Sequence, residues 1–461
     1  MRATTLKARE LHVRDDVVAT GRVGVPVGLT ERGRRRIFAS WEDQLLVVAG
    51  PRTGKTTSLV VPALLEAPGA ALVTSNKRDV VDATRALRAQ AGPVWVFDPQ
   101  QVALEAPTWW WDPLSYVVDD VTASQLAQHF ASGSREPGAK VDAYFDPAGQ
   151  DLVRGLLLAA ALDGQPITTA YAWVTRPNDD RPADILDEHG YDMGAAQVRG
   201  VINAPDKQRG GIYGTAQQML SCLTSRAVVQ WVTPQPGRPA FHPSTFVEST
   251  GTLYSLSKEG KGSAGPLVTA LTVAVTEAAE KRAAGLPGGR LDVPLLGVLD
   301  EAANVCRWAD LPNLYSHFGS RGIVLATVLQ SWSQGVEVWG RDGMRKLWSA
   351  SNLALYLGGV REPEFLDELA RLIGQRDVMR ASVSHSRGGR STSHHIQQQR
   401  ILDVDELAAL PRGRAVLFAS GTPATLIRTQ PWMTGPHAAA VRASLAANDP
   451  AVQAPQEARS S

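Results

Sequence analysis

Residues 49–57 of the chain read Ala49-Gly50-Pro51-Arg52-Thr53-Gly54-Lys55-Thr56-Thr57, directly after the apolar run Leu45–Val48. Apolar residues continue at helical spacing from Leu59 to Leu65. A buried strand, a glycine-containing turn and a helix, in this order, are the context that a phosphate-binding P-loop requires. Backbone N–H groups of such a loop and the helix N-terminus both favour an anion. The pattern therefore predicts that all nine residues bind the nucleotide.

Two side chains of this loop carry predicted roles. We expect Lys55 to reach the β- and γ-phosphates of ATP and the Thr56 hydroxyl to bind Mg²⁺. The strict pattern has glycine where this chain has Ala49, which fits the turn if its φ is negative. The alternative is a chance Gly-Lys-Thr in a surface turn, and the strand before and the helix after the loop argue against it.

Two further apolar runs end in polar residues. Residues 295–301 read Leu-Leu-Gly-Val-Leu-Asp-Glu, which is typical of a Walker B strand. Asp300 would hold Mg²⁺, and Glu301 would act as general base on the attacking water. Residues 322–330 predict another buried strand that ends at Gln330, a candidate γ-phosphate sensor. The alternative for Gln330 is a hydrogen-bonded amide at a strand end. Glu301 and Gln330 favour hydrolysis over phosphoryl transfer to a small acceptor.

Composition limits the possible classes of protein. The chain has 461 residues, of which 44% are hydrophobic, and this is ample for a large core. A net charge of +1 means that any contact with DNA must be local. The two cysteines, Cys222 and Cys306, have no metal or redox spacing and suit a reducing cytosol. No signal peptide and no long uncharged apolar run is found, so we expect the chain alone to be soluble.

The pattern along the chain predicts an α/β fold with a mostly parallel sheet and helices on both faces. Residues 1–40 are a lead-in with a possible strand pair near residues 13–27 and a basic run at residues 32–36 that could touch DNA or lipid. Residues 41–117 and 236–435 form the nucleotide-binding domain. Residues 118–235 form an inserted all-α domain, because the interval from Lys55 to Asp300 is too long for a bare sheet. The helices of this domain are predicted at residues 123–130, 146–162, 195–204 and 214–229.

Two polar segments follow in the second half of the chain. We expect a polar hairpin or loop at residues 381–399 and a disordered tail at residues 436–461.

These motifs together resemble the TraG/TraD-type coupling proteins of type IV secretion systems, which are conjugative DNA-transfer ATPases. The resemblance covers roughly residues 20–435. It rests on five segments in order, which are the P-loop, Val73–Asp79, the Asp-Pro and Trp-Asp-Pro-Leu elements at residues 97–114, Leu299–Asn304, and Gln330-Ser331-Trp332-Ser333-Gln334. The last segment is the most specific of the set.

The resemblance implies a RecA-like motor domain that carries an all-α domain and forms a homo-hexamer at the cytoplasmic face of the inner membrane. Such proteins hydrolyse ATP with Mg²⁺, bind DNA without sequence specificity, and deliver a relaxase–DNA substrate to the secretion channel. By position, Arg321 matches the family's candidate arginine finger, although a surface salt bridge explains it equally well. The chain departs from the family at Ser75, where an aspartate is frequent.

A second departure is that the family's N-terminal membrane helices are not found. Either the chain is a soluble variant, or a partner supplies the anchor, or the true gene start lies upstream. Other classes stay open on the sequence: a P-loop kinase or GTPase, an adaptor without turnover, and a motor for protein secretion or chromosome translocation. The Trp109–Trp111 triplet is either a stacking platform for bases or, as we favour, a packed corner between domains.

Overall fold

The computed structural model describes residues 24–135, 142–260, 262–386 and 389–450. The strands in these ranges are β1 Val25–Thr30, β2 Arg36–Ala39, β3 Leu45–Val48, β4 Ala71–Ser75, β5 Val94–Phe97, β6 Thr252–Leu256, β7 Leu295–Leu299, β8 Ile323–Leu329, β9 Leu353–Tyr356, β10 Gln375–Ser386, β11 Gly389–Arg400, β12 Arg414–Ala419 and β13 Thr425–Arg428.

The helices of the described residues follow the strands and fill the inserted segment. They are α1 Val61–Glu66, α2 Asp79–Ala91, α3 Asp120–Ser134, α4 Phe145–Leu162, α5 Thr168–Val174, α6 Arg181–Glu188, α7 Asp192–Ile202, α8 Asp206–Met219, α9 Arg226–Val232, α10 Pro243–Phe246, α11 Gly265–Ala284, α12 Ala302–Val305, α13 Leu311–Ser320, α14 Trp332–Ala350, α15 Pro363–Ile373, α16 Val404–Ala408 and α17 Ala438–Ala447. A π-type turn, Thr56–Val60, precedes α1.

Within the described residues, one sheet has the strand order β2-β1-β13-β12-β9-β3-β8-β7-β4-β6-β5. From β9 to β5 all neighbours are parallel. From β12 to β2 the pairs are antiparallel. Strands β3, β4, β7 and β8 are buried along their whole length, because helices cover both faces. The predicted α/β fold with a mostly parallel sheet is confirmed.

The inserted segment contains only helices and turns where it is described, and it shares a core with one face of the sheet. Trp109 and Trp111 are buried in that core beside Trp231 and Phe241. Trp109 contacts Trp231 edge to face at 5.5 Å. The triplet is therefore a packed corner, and only Trp110 is partly exposed. One helix prediction is wrong: residues 214–229 are not one helix, because α8 ends at Met219 and a 3₁₀ turn separates it from α9.

The N-terminal part differs from the expected lead-in. Strands β1 and β2 pair with each other and β1 pairs with β13, so residues 25–39 extend the main sheet. The expected strand pair near residues 13–27 falls largely on residues 1–23, which lie outside the described ranges. The basic run occupies the β1–β2 turn and enters β2 at Arg36. Pairing with β13 joins segments almost 400 residues apart, so the local sequence cannot show it.

The prediction of a disordered tail is wrong for residues 438–447, which form α17. Val441 is fully buried against Val61 and Leu65, and Ser444 Oγ donates to the Asp82 carbonyl at 2.6 Å. The residues that make the apolar contacts, Val441 and Leu445, are spaced i and i+4 as on one face of a helix. The surrounding alanines made this helical spacing hard to recognise in the sequence. Residues 451–461 lie outside the described ranges.

The polar hairpin expected at residues 381–399 is present as β10 and β11, paired from Gln375↔Arg400 to Ser386↔Gly389. None of the described helices is both long enough and apolar enough to cross a membrane.

Candidate nucleotide-binding site

The predicted site residues, with the exception of Arg321, meet at the carboxyl edge of the parallel sheet. Strands β3, β8 and β7 are neighbours there. The P-loop follows β3, Gln330 follows β8, and Asp300 and Glu301 follow β7. Parallel strands end at the same edge, so three segments far apart in the sequence form one site.

The P-loop runs from Ala49 to the start of the helix at Thr56. Arg52 and Gly54 have positive φ values of 61° and 92° within it. Residues of opposite handedness in succession turn backbone N–H groups to one side, and this forms an anion nest. Ala49 is not among the residues with positive φ, and its N–H donates to the Leu329 carbonyl at 2.9 Å. The condition for alanine in place of the usual glycine is therefore met.

Gly50 is fixed by close packing rather than by its backbone angles. Its N–H donates to the Gly358 carbonyl at 2.9 Å. A Cβ at residue 50 would lie 2.1 Å from the Gly359 carbonyl oxygen, which no side chain can tolerate. The P-loop thus rests on the backbone of the turn after β9.

Glu301 is the centre of the site. The Lys55 ammonium forms an ion pair with Glu301 Oε1. Gln330 Nε2 donates to both carboxylate oxygens, at 2.8 Å and 2.7 Å. The Glu301 side chain is 2% exposed, so these partners replace water. Glu301 also has φ 56° and ψ 42°, a left-handed conformation that costs about 1–3 kcal/mol in a non-glycine residue and is common at functional sites.

Asp300 lies beside Glu301 and is also buried. Burial raises the pKa of Asp300 to about 7; Lys55 opposes this rise and Glu301 adds to it. Its Oδ1 has no hydrogen-bond partner in the structure. An unpartnered buried carboxylate oxygen beside a P-loop fits a hard cation such as Mg²⁺, which prefers oxygen ligands. Thr56, at the first helical position, provides the second predicted oxygen.

Arg321 is the predicted residue that the fold keeps away from this site. It precedes β8, whereas Gln330 follows it, so the seven strand residues separate them by roughly 23 Å. The guanidinium is paired with Glu280 at 3.0 Å. Arg321 therefore cannot reach the P-loop of its own chain.

The structure adds polar residues that the sequence did not single out. Glu362 accepts from the backbone N–H groups of Trp332 and Ser333 at 3.1 Å and 3.2 Å, which fixes the segment after Gln330. Arg412 Nε lies 3.7 Å from the place a Cβ on Gly54 would take, so a cation of the same chain adjoins the P-loop. Neither residue has a local signal, because both reach the site through long-range folding.

The P-loop follows β3 and the Asp300-Glu301 pair follows β7, which lies two strands away in the parallel sheet. This arrangement is that of the RecA-like P-loop fold. Residues 294–412, from β7 to the loop before β12, match a family model described as the TraM recognition site of TraD and TraG. No curated protein matches the sequence at a significant level.

Solved structures share the fold over most of the chain. The bacterial conjugative coupling protein TrwBdeltaN70 in its unbound form is 18% identical, with a TM-score of 0.64 over 87% of this chain and 88% of that chain. The plasmid coupling protein TrwB in complex with ADP and Mg²⁺ is 19% identical, with a TM-score of 0.61 over 84% of this chain and 85% of that chain. VirB4 of Thermoanaerobacter pseudethanolicus is 12% identical, with a TM-score of 0.50 over 90% of this chain and 98% of that chain.

The resemblance to type IV coupling proteins is thus confirmed in two ways. The family model matches the segment that carries Asp300, Glu301 and Gln330. The structural likeness shows that this chain shares the fold of the coupling proteins, with a RecA-like α/β domain and an all-α domain.

Proposed function

We propose that this protein is a Mg²⁺-dependent ATPase. The observation that carries the proposal is the convergence of Lys55 and Gln330 on the buried Glu301 at the mouth of the P-loop. A lysine, a glutamate and a glutamine at this place supply a phosphate-binding cation, a general base and a group that orients water. A kinase that transfers phosphate to a small acceptor does not need a general base that activates water, so the presence of Glu301 favours hydrolysis.

The geometry indicates how the residues act on ATP. Backbone N–H groups of residues 52–56 are free to bind the phosphates, since Pro51 has no N–H and the Gly50 N–H donates to the Gly358 carbonyl. Lys55 then leaves Glu301 to pair with the phosphates. This releases the Glu301 carboxylate, which can then take the proton of the attacking water. Gln330 is within hydrogen-bond reach of the same carboxylate and can hold that water in line. Mg²⁺, held by Thr56 and Asp300, would neutralise phosphate charge.

The test is steady-state ATP hydrolysis with two variants. Lys55→Ala should keep the fold but lose hydrolysis, because a charge that stabilises the transferring phosphoryl group is gone. Glu301→Gln should still bind ATP and turn over poorly, because it keeps the shape and loses the base. Hydrolysis by Glu301→Gln at the wild-type rate would show that the base is assigned wrongly.

We infer further that the ATPase is a conjugative coupling protein that delivers a relaxase–DNA substrate to a type IV secretion channel. The match of residues 294–412 to the TraD and TraG model and the shared fold support this function. In a ring, Arg321 could act only on the site of a neighbouring subunit, and it would have to leave its ion pair with Glu280 to do so. A homo-hexamer at the cytoplasmic face of the inner membrane, anchored by a partner or by a further N-terminal segment, fits this function.

DNA is the partner that separates this function from its alternatives. With a net charge of +1, binding must use few local cations and show little sequence preference. Affinity should fall with salt at a slope of about −0.7Z on single strands and about −0.9Z on duplex, where Z is the number of phosphates neutralised. Unrelated DNA sequences of equal length should raise ATP turnover equally.

The second candidate is a motor for protein secretion or chromosome translocation, for which the same nucleotide-binding site would serve equally well. A flat ATPase rate over a DNA titration, at low salt and with oligomers confirmed, would favour protein secretion. Competition with other nucleotides tests the GTPase alternative.

A further inference from the structure

The loop between β6 and α11 is held at both ends by one side chain. Gln100 Oε1 accepts from the backbone N–H groups of Lys258 at 2.9 Å and Ala264 at 3.1 Å. Between these ends, Gly260 and Gly262 have positive φ values of 94° and 69°, which allow the tight turn. Residue 261 lies outside the described ranges. The two ends of the loop, at Lys258 and Ala264, are thus fixed by hydrogen bonds, while the described residues between them are largely exposed.

From this loop, Glu259 reaches two neighbouring strand ends. Its Oε1 accepts from Asn76 Nδ2, after β4, at 2.8 Å. The same oxygen accepts from Asn304 Nδ2, after β7, at 2.9 Å. Asn304 Nδ2 also lies 3.4 Å from Glu301 Oε2. One amide group therefore bridges the exposed Glu259 and the buried Glu301.

This bridge differs in kind from the other contacts of Glu301. Lys55 is predicted to leave the carboxylate for the phosphates, and Gln330 is predicted to turn one donor to the attacking water. The Asn304 amide is held by Glu259 and is not predicted to bind a phosphate, so nucleotide binding should leave it in place. It also carries no proton that it can lose near neutral pH, so it can hold a carboxylate without neutralising it.

We propose that Asn304 and Glu259 are positioning residues, which hold the Glu301 carboxylate in the orientation that accepts a proton from water. The proposal rests on the ATPase function above and deepens it. The loop also borders a cavity of about 600 Å³ that Arg135 and Arg307 line.

The experiment measures kcat and KM for ATP in wild type, Asn304→Ala, Glu259→Ala and Glu259→Gln. The two alanine variants should lose about tenfold in kcat, the equivalent of one hydrogen bond of ~1.4 kcal/mol, with KM nearly unchanged. Glu259→Gln should keep most of the rate, because its amide oxygen still accepts from both asparagines. Asn313→Ala, an exposed asparagine on α13, is the matched control and should behave as wild type.

A double-mutant cycle separates positioning from a general structural effect. When the base is already removed in Glu301→Gln, adding Asn304→Ala should cost no further activity. Equal losses in both backgrounds, a wild-type kcat for Asn304→Ala, or a loss confined to KM would each overturn the positioning role. Glu259→Gln as slow as Glu259→Ala would show that the charge matters rather than the acceptor. An inactive wild type would instead refute the ATPase function itself.

Discussion

Acidification should destabilise this protein through one buried side chain, His129 on α3. The residue is 2% exposed, and neither ring nitrogen has a hydrogen-bond partner in the structure. Burial lowers the pKa of His129 from 6.5 to about 4. The neutral ring is therefore kept in the fold, while the unfolded chain takes up a proton below about pH 6.5.

The sign follows from the lowered pKa in the folded state. Stability is full above pH 6.5 and is lost as the pH falls towards 4, because only the unfolded state gains a proton in that window. The complete drop in pKa is worth roughly 3.4 kcal/mol, and about 2 kcal/mol of it should be lost by about pH 5. Because α3 packs between α4 and α11, the loss should weaken the contact of the helical domain with the sheet.

The assay is urea unfolding of wild type and His129→Leu at about pH 7.5 and pH 5, with the exposed His317→Gln as control. Leucine has similar bulk and cannot be protonated, so this variant should lose about 2 kcal/mol less than wild type between the two pH values. His317→Gln should follow wild type. The same pH dependence in wild type and His129→Leu would refute the reasoning, since other titrating groups are common to both.

Three further predictions concern the P-loop, the subunit boundary and the C-terminal helix. Gly50→Ala should reduce ATP turnover on the order of 10²-fold, because a Cβ there pushes the loop off its support by about 1 Å, whereas Ala49→Gly should stay active. Mixing Arg321→Ala with Lys55→Ala protein should restore part of the activity, as a mixed interface has one intact site; no rescue in proven mixed oligomers would contradict a role across subunits. Val441→Asp should detach α17 and expose it to limited proteolysis, at a cost of about 1.5–3 kcal/mol for the lost apolar burial, and an unchanged digestion pattern would argue against its docking.

Much of the site could be predicted because its residues lie in short, contiguous sequence patterns. A buried strand, the loop at residues 49–57 and a following helix are contiguous, so one local pattern contains the whole phosphate nest. The Asp300-Glu301 pair and Gln330 each directly follow a run of mostly apolar residues, which is typical of strands buried on both faces. Parallel strands end at one edge, so their convergence could be expected before any distance was known.

Contacts between distant segments could not be predicted in this way. The pairing of β1 with β13, the docking of α17 on α2, and the packing of Gly50 against Gly359 all depend on surfaces that exist only after folding. The separation of Arg321 from the P-loop is also a tertiary fact, because sequence places it near Gln330 while the strand between them spans the sheet.

The sequence by itself determined which chemical groups follow which strands. Both the apolar run of a buried strand and the residues of the P-loop are contiguous in the chain, so local patterns reveal them. Tertiary structure alone decided which carboxylate each amide touches. Asn304 lies three residues after Glu301, but its second partner, Glu259, comes from a loop after another strand of the sheet. A hydrogen bond requires two atoms within about 3 Å, and only the fold brings loops so distant in the chain to that distance.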